Sequence, residues 1–169
     1  MMRGRLHACG ARQDGFTLIE LLVAIMIIGV LAGIALAVFL GQSSKANDVS
    51  TKSNVANVSR LLQACVTSSN TRDDYRDCDS GSKLGETAPP LDPTPADESG
   101  DCSPPASGDT IGDPDKTRIL RASSDCFVVF GESRSGNRFW YIRRSDGSAR
   151  RGCDTAGKDG CPADGSWGG

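Results

Sequence analysis

From Phe16 to Leu40 the chain reads FTLIELLVAIMIIGVLAGIALAVFL, an apolar run whose only charged residue is Glu20. As a helix rising about 1.5 Å per residue it reaches roughly 37 Å, slightly more than the hydrocarbon core of a bilayer. The run therefore reads as a membrane span, and the rest of the 169 residues suffices for one small domain, not a large enzyme core. Arg3, Arg5 and Arg12 precede it against Asp14, which by the positive-inside bias keeps the N-terminus cytoplasmic and sends everything after Leu40 outward. A secretory signal peptide shares the basic-then-apolar order, but its apolar part is only about 7–15 residues long. Leu6-His7-Ala8-Cys9 resembles a lipoprotein box without the apolar stretch that would bring Cys9 to the membrane.

Charge and histidine content narrow the chemistry. Nineteen Lys plus Arg against 21 Asp plus Glu, with both signs interspersed, exclude a strongly basic nucleic-acid surface and an acidic disordered tail. His7 is the single histidine, so the outward part has no Ser-His-Asp or Cys-His nucleophile pair. Gly152 to Asp159 nearly spells a phosphate loop, yet it ends in Asp where Ser or Thr holds magnesium, and Gly160-Cys161-Pro162 follows where a helix is needed. The chain does not read as an enzyme.

Glu20 requires a partner. A carboxylate early in a spanning helix costs about 2.5–3.5 kcal/mol on insertion scales, unless it snorkels to the headgroups. Gly15 tips the balance, because cutting after it creates a free amine at Phe16, four residues from Glu20, and so a cation within the acid's apolar surroundings.

A short basic leader ending in Gly15, then Phe16-Thr17-Leu18-Ile19-Glu20 and an apolar helix, resembles the prepilin signature of type IV pilins and the related pseudopilins. The strong similarity covers roughly Gly15 to Leu40. It implies cleavage between Gly15 and Phe16 by a membrane-embedded prepilin peptidase and N-methylation of Phe16. It implies that Glu20 meets the N-terminal amine of a neighbouring subunit as the helix leaves the bilayer for a filament core, with a membrane assembly platform as a further partner. One departure is Ala37, where many pilins have a proline, so less bending is expected there. Gly29, Gly33, Ala37 and Gly41 recur every four residues, a stripe of small residues that lets another helix approach closely. Gly29 also falls at a glycine common in the family.

Beyond the span, Ala46, Val49, Val55, Val58, Leu61, Leu62, Cys65 and Val66 fall largely at three- and four-residue steps, predicting an amphipathic continuation to about Ser68, where Ser-Ser-Asn-Thr breaks it. Residues 85–115 hold seven of the eight prolines among Asp, Ser, Gly and Thr, with essentially only Leu91 and Ile111 apolar. This segment reads as a surface loop. An antiparallel meander should follow, over Thr117–Ala122, Cys126–Glu132, Arg138–Arg144 and Ser148–Gly152. The Cys-Phe-Val-Val-Phe strand is expected at its centre, with one face against the helix, and Phe139, Trp140, Tyr141 and Ile142 are expected in the core. Arg138, Arg143, Arg144, Arg150 and Arg151 surround the hairpin. Against their acidic neighbours they read as a solvated face, with nucleic-acid phosphates a weaker choice.

Cys9 lies in the leader and six cysteines lie outside, at 65, 78, 102, 126, 153 and 161. An even number in an oxidising compartment implies disulfides, each worth about 2–4 kcal/mol. The short separations favour Cys65 with Cys78 and Cys153 with Cys161, leaving Cys102 with Cys126; Cys126 with Cys153 stays open as an alternative. Zinc is disfavoured by the absence of any CxxC spacing or nearby histidine. Asp154, Asp159 and Asp164 resemble a loop that binds calcium in major pseudopilins but match no defined calcium spacing. No cofactor and no metal is expected.

The expected architecture is α+β: a long N-terminal helix, half transmembrane and half amphipathic, packed on a small antiparallel sheet and stapled by disulfides. The divisions are a cleaved leader at 1–15, a transmembrane and filament-core helix at 16–40, an amphipathic helix and connection at 41–84, the loop at 85–115, and the sheet with a C-terminal disulfide loop at 116–169. The expected role is a pilin subunit of a type IV pilus-like surface filament. The lipid bilayer holds the precursor, other pilin subunits are its polymer partners, and the cell surface is its destination. A pseudopilin of a type II secretion-type or DNA-uptake filament is the nearest alternative, with Glu20 arguing against the tip-initiating member that lacks this acid. A single-pass anchored binding domain that never polymerises is the other.

Overall fold

A computed structural model describes residues 15–69, 74–99 and 101–168, leaving aside the side chains of Ala37 and Leu40. The basic leader, with its arginines, His7 and Cys9, and the Asn70-Thr71 part of the expected helix breaker lie outside the described residues. Two compact units divide the chain at residues 39 and 40. Helix α1 (Leu18–Ser68) supplies the described helix of the first and opens the second.

In the first unit Ile25, Met26, Leu31, Ile34 and Phe39 are each more than half exposed. The best 18-residue window of α1 has a mean hydropathy of 3.0 and none of it is buried, so by length and composition this helix is able to cross a membrane. A helix apolar all round has no polar face to give to water, which is the pattern of a segment meant for lipid or for other helices.

The second unit is an α+β fold. After α1 come a 3-10 turn (Tyr75–Cys78), a single-turn helix α2 (Gly81–Leu84) and four strands, β1 (Thr117–Ala122), β2 (Cys126–Glu132), β3 (Arg138–Arg144) and β4 (Ala149–Cys153). The strands pair antiparallel in the order β1-β2-β3-β4, the expected meander, with β4 displaced by one residue from its expected span. Gly136 (φ 83°) and Gly147 (φ 86°) supply the left-handed positions of the β2–β3 and β3–β4 turns.

Period-two alternation divides the core between the two faces of this sheet. On one face Ile119, Ala122, Phe127, Val129, Phe139 and Tyr141 pack with Val55, Val58, Leu62 and Val66 of α1. On the other, Leu120, Val128, Phe130, Trp140 and Ile142 form a second cluster with Ile111 and Cys102. A bulge between Ile119 and Arg121 resets the alternation, so that Ala122 instead of Arg121 joins the helix side. Burying a side chain such as Phe127 or Phe130, both 0% exposed, contributes about 1.5–3 kcal/mol.

Two readings of the sequence need adjustment. Ala46 and Val49 face outward, Val49 at 61% exposure, because Val49 stands about 120° round the helix from Val55 at 3.6 residues per turn. Asp48 and Thr51 turn inward in their place. The proline-rich segment is also more than a connection. Leu91 and Asp97 make isolated parallel bridges to Thr117 and Arg121 along the edge of β1, and Ile111 and Pro105 are buried. The segment thus covers a strand edge that would otherwise be open to pairing with another chain.

Cys65 is bonded to Cys78, Cys102 to Cys126 and Cys153 to Cys161. The first ties the end of α1 to the 3-10 turn, the second pins the covering loop to the start of β2, and the third closes the loop after β4.

Candidate functional site

Gly15, Phe16 and Thr17 precede the helix without regular structure, and Leu18 opens it. Thr17 and Glu20 stand in the threonine-x-x-glutamate spacing of a capping box. The Glu20 N–H donates to Thr17 Oγ1 at 3.3 Å, and the Thr17 N–H donates to Glu20 Oε2 at 3.4 Å. Within one chain, then, the Glu20 carboxylate turns back on its own helix start, where the helix dipole favours negative charge. Phe16 is 85% exposed, and a Cβ added at Gly15 would meet no described atom within 4 Å.

The same open space surrounds Gly29, Gly33 and Gly41, while Ala37 lies in the same helix. Among the described residues nothing covers the apolar side chains between Leu18 and Phe39, which leaves this surface to contacts outside the single chain. Residues 10–36 match the family model of the prokaryotic N-terminal methylation motif.

The N-terminal segment of the chain is similar to that methylation motif.

Over 86 residues it is 33% identical to the type II secretion system core protein G of Pectobacterium carotovorum subsp. carotovorum, an alignment covering 51% of this chain and 53% of that protein. The chain thus spans about half the length of the curated relative it matches. No solved structure gives a significant match.

A polar junction in the second unit escaped the sequence reading. Asp48 is fully buried, and its carboxylate accepts from Ser135 Oγ, from Asn137 Nδ2 at 2.8 Å and from the Gly160 N–H at 2.8 Å. Burial works to raise its pKa, but hydrogen bonds from Ser133, Ser135, Asn137 and Gly160 outweigh that, and the carboxyl titrates below its usual value. Asn137 Nδ2 also donates to the Lys158 carbonyl. One acid thereby joins α1, the β2–β3 turn and the loop after β4. An aspartate surrounded by polar helix residues carries no signal that sets it apart from a solvated one.

Several arginines of the second unit are engaged in holding it together. Arg138 pairs with Asp154 and donates to the Ala106 and Asp109 carbonyls. Arg144 donates to the Cys102 carbonyl, and Arg151 donates to the Gly168 carbonyl while lying over the Tyr141 and Trp167 rings. The three acids of the last loop are not brought together as ligands: Asp154 is taken by Arg138, and Asp164 accepts the Ser166 N–H at 3.0 Å. Among the described residues no group of three or more acids, cysteines or histidines is placed to hold a metal ion.

Proposed function

We propose that this chain is a structural, non-catalytic subunit, made as a membrane precursor with its N-terminus cytoplasmic. A prepilin peptidase cuts it between Gly15 and Phe16, Phe16 is N-methylated, and an assembly platform moves the helix from the bilayer into a pilus-like filament of identical subunits. The observation that carries this reading is the uncovered apolar helix with Glu20 as the only carboxylate between Phe16 and Leu40. The chemistry is an exchange of partners. Among the described residues Glu20 has the weak, long contacts of the capping box. A terminal ammonium on a neighbour's Phe16 offers a charge-assisted bond roughly twice as strong as a neutral one. Desolvated between apolar helices, that pair fixes the stagger of adjacent subunits, and Gly29, Gly33 and Ala37 let their backbones come close.

The similarity to the type II secretion core protein G favours a second reading, in which the same subunit builds a secretion-type pseudopilus. Both readings share the processing step, and intact mass spectrometry of the mature protein tests it. A methylated Phe16 start is expected, and a chain beginning at Met1 would leave only a membrane-anchored domain. Electron microscopy of sheared surface material, with and without the secretion machinery, separates pilus from pseudopilus.

A further inference from the structure

Gly160 is held at both of its backbone polar groups by one turn of α1. Its N–H donates to Asp48 Oδ2 at 2.8 Å, and its carbonyl accepts from Lys52 Nζ at 2.6 Å. The fit excludes any side chain, since a Cβ on Gly160 would stand 2.6 Å from Asp48 Cβ and 3.2 Å from its Cγ. The Lys52 ammonium also lies 5.2 Å from the centre of the Phe139 ring, so its position is set by the sheet as well as by the loop. Gly160 immediately precedes Cys161, which is 3% exposed and bonded to Cys153 across a separation of 8 residues. Residues 154–159 of that loop are all exposed; Arg138 holds Asp154, Asn137 holds the Lys158 carbonyl and the Gly157 and Cys161 amides donate within the loop, and closure of Cys153–Cys161 adds to these in limiting the positions Gly160 can take.

We propose that Asp48 and Lys52 form a clamp that grips Gly160 only when the Cys153–Cys161 loop is closed, making the docking of the C-terminal loop on α1 dependent on oxidation. Closure is a thiol–disulfide exchange. One cysteine thiolate attacks a disulfide-bearing oxidant to give a mixed disulfide, and the second displaces the oxidant's remaining sulfur. The two protons and two electrons lost by the cysteines end on the oxidant's two sulfurs. The timing rests on the functional reading above, in which the loop is made in a reducing compartment and exported to an oxidising one. The clamp would then lock α1, the β2–β3 turn and the C-terminal loop together only after export.

Coupling of this kind is reciprocal: if closing the loop favours the clamp, the clamp must favour the closed loop by the same factor. The full-length protein in detergent micelles, equilibrated in graded reduced and oxidised glutathione, quenched by alkylation and analysed by peptide mass spectrometry, reads this directly. Lys52→Met removes the ammonium and keeps the stem, and Asp48→Asn removes the charge. The ratio of oxidised to reduced Cys153–Cys161 is expected to fall about tenfold in each variant, the size expected for a hydrogen bond to a charged group. Cys65–Cys78 and Cys102–Cys126 are expected to stay unchanged in Lys52→Met. An unchanged Cys153–Cys161 ratio in Lys52→Met overturns the clamp, and so does an equal shift of all three bonds. The measurement needs neither cleavage nor polymerisation, so it fails independently of the filament reading, which an intact Met1 start would remove.

Discussion

Asn137 Nδ2 donates to Asp48 Oδ2 at 2.8 Å across 89 positions of sequence, joining the turn between β2 and β3 to the helix that packs beneath the sheet. Asn137 and Asp48 are both 0% exposed, and their mutual hydrogen bond helps satisfy two buried polar groups. Replacing Asp48 with Ala leaves the Asn137 amide, the Ser135 hydroxyl and the Gly160 N–H without their acceptor. The expected loss is about 3 kcal/mol, checked by denaturant unfolding of the full-length protein in detergent. Val49→Ala, one residue away and mostly exposed, should change stability by less than about 0.5 kcal/mol.

The same acid sets a pH dependence. The folded-state pKa of Asp48 lies below its ordinary value because four hydrogen bonds favour the carboxylate over the opposing effect of burial. A depressed pKa contributes stability that is fully present above the unfolded-state value, about 3.9, and is lost as pH falls through the folded-state value. Unfolding followed from pH 7 down to pH 2 should show constant stability to about pH 5 and a fall below about pH 4. The part of that fall missing in Asp48→Asn is the contribution of this residue. Asp92, Asp97, Asp101 and Asp146 are also depressed, chiefly by local side-chain bonds from Thr94, Ser99, Ser103 and Ser148, but they are solvent-screened and should contribute little.

How much of this was legible follows from how local each signal is. The N-terminal motif is contiguous, so Gly15 through Glu20 stand out without any knowledge of the fold. The strands are legible because branched and aromatic runs such as Cys126–Glu132 and Arg138–Arg144 are cut by glycine turns at fixed short distances. Asp48 was hidden because its partners lie 87 to 112 positions away, and no periodicity distinguishes an inward aspartate from an outward one. The phase of the amphipathic face was misread at Ala46 and Val49 for the same reason, since a polar residue on the stripe makes its apolar neighbours look like core. The capping-box spacing of Thr17 and Glu20 lies within the same contiguous motif and is equally local.

Glu20→Ala should leave processing intact and stop polymerisation. In the proposed function the peptidase acts at Gly15, whereas the carboxylate is needed only when helices leave the lipid and meet. Removing it also lowers the cost of staying in the bilayer by about 2.5–3.5 kcal/mol, so the mature subunit should accumulate in the membrane. Immunoblots of membrane and sheared fractions read both effects, and normal filaments from this variant would refute the role of the acid.

Gly15→Leu should block the cut itself. In the proposed function Gly15 precedes the scissile bond, and a peptidase that needs glycine there has no room for a branched side chain. Among the described residues a Cβ at Gly15 meets nothing within 4 Å, so the substitution should neither strain the helix nor change membrane insertion. The expected product is a stable precursor carrying its basic leader, seen as a higher-mass band in the membrane fraction. Mature-size protein from Gly15→Leu would remove the peptidase assignment while leaving the fold untouched.

Trp167 provides the last test, of the C-terminal tail. Glycine-rich sequence around it suggests a loose end, yet the indole is 5% exposed, its Nε1–H donates to the Gly152 carbonyl at 2.7 Å and its ring meets Phe139 edge-on at 6.2 Å. Arg151 lies over the outer face of this packing and donates to the Gly168 carbonyl. The tail therefore closes the end of the helix-side core next to β4, the strand most dependent on it. Trp167→Ala should cost about 3–5 kcal/mol, because it opens a cavity against Phe139 and removes the indole bond to the Gly152 carbonyl. Hydrogen exchange should rise first at Gly152 and Cys153, whose amide donates to Gly165, and later at β2, which is shielded on both faces. Exchange that rises uniformly across the sheet would show that the tail is a general support, not a cover for β4.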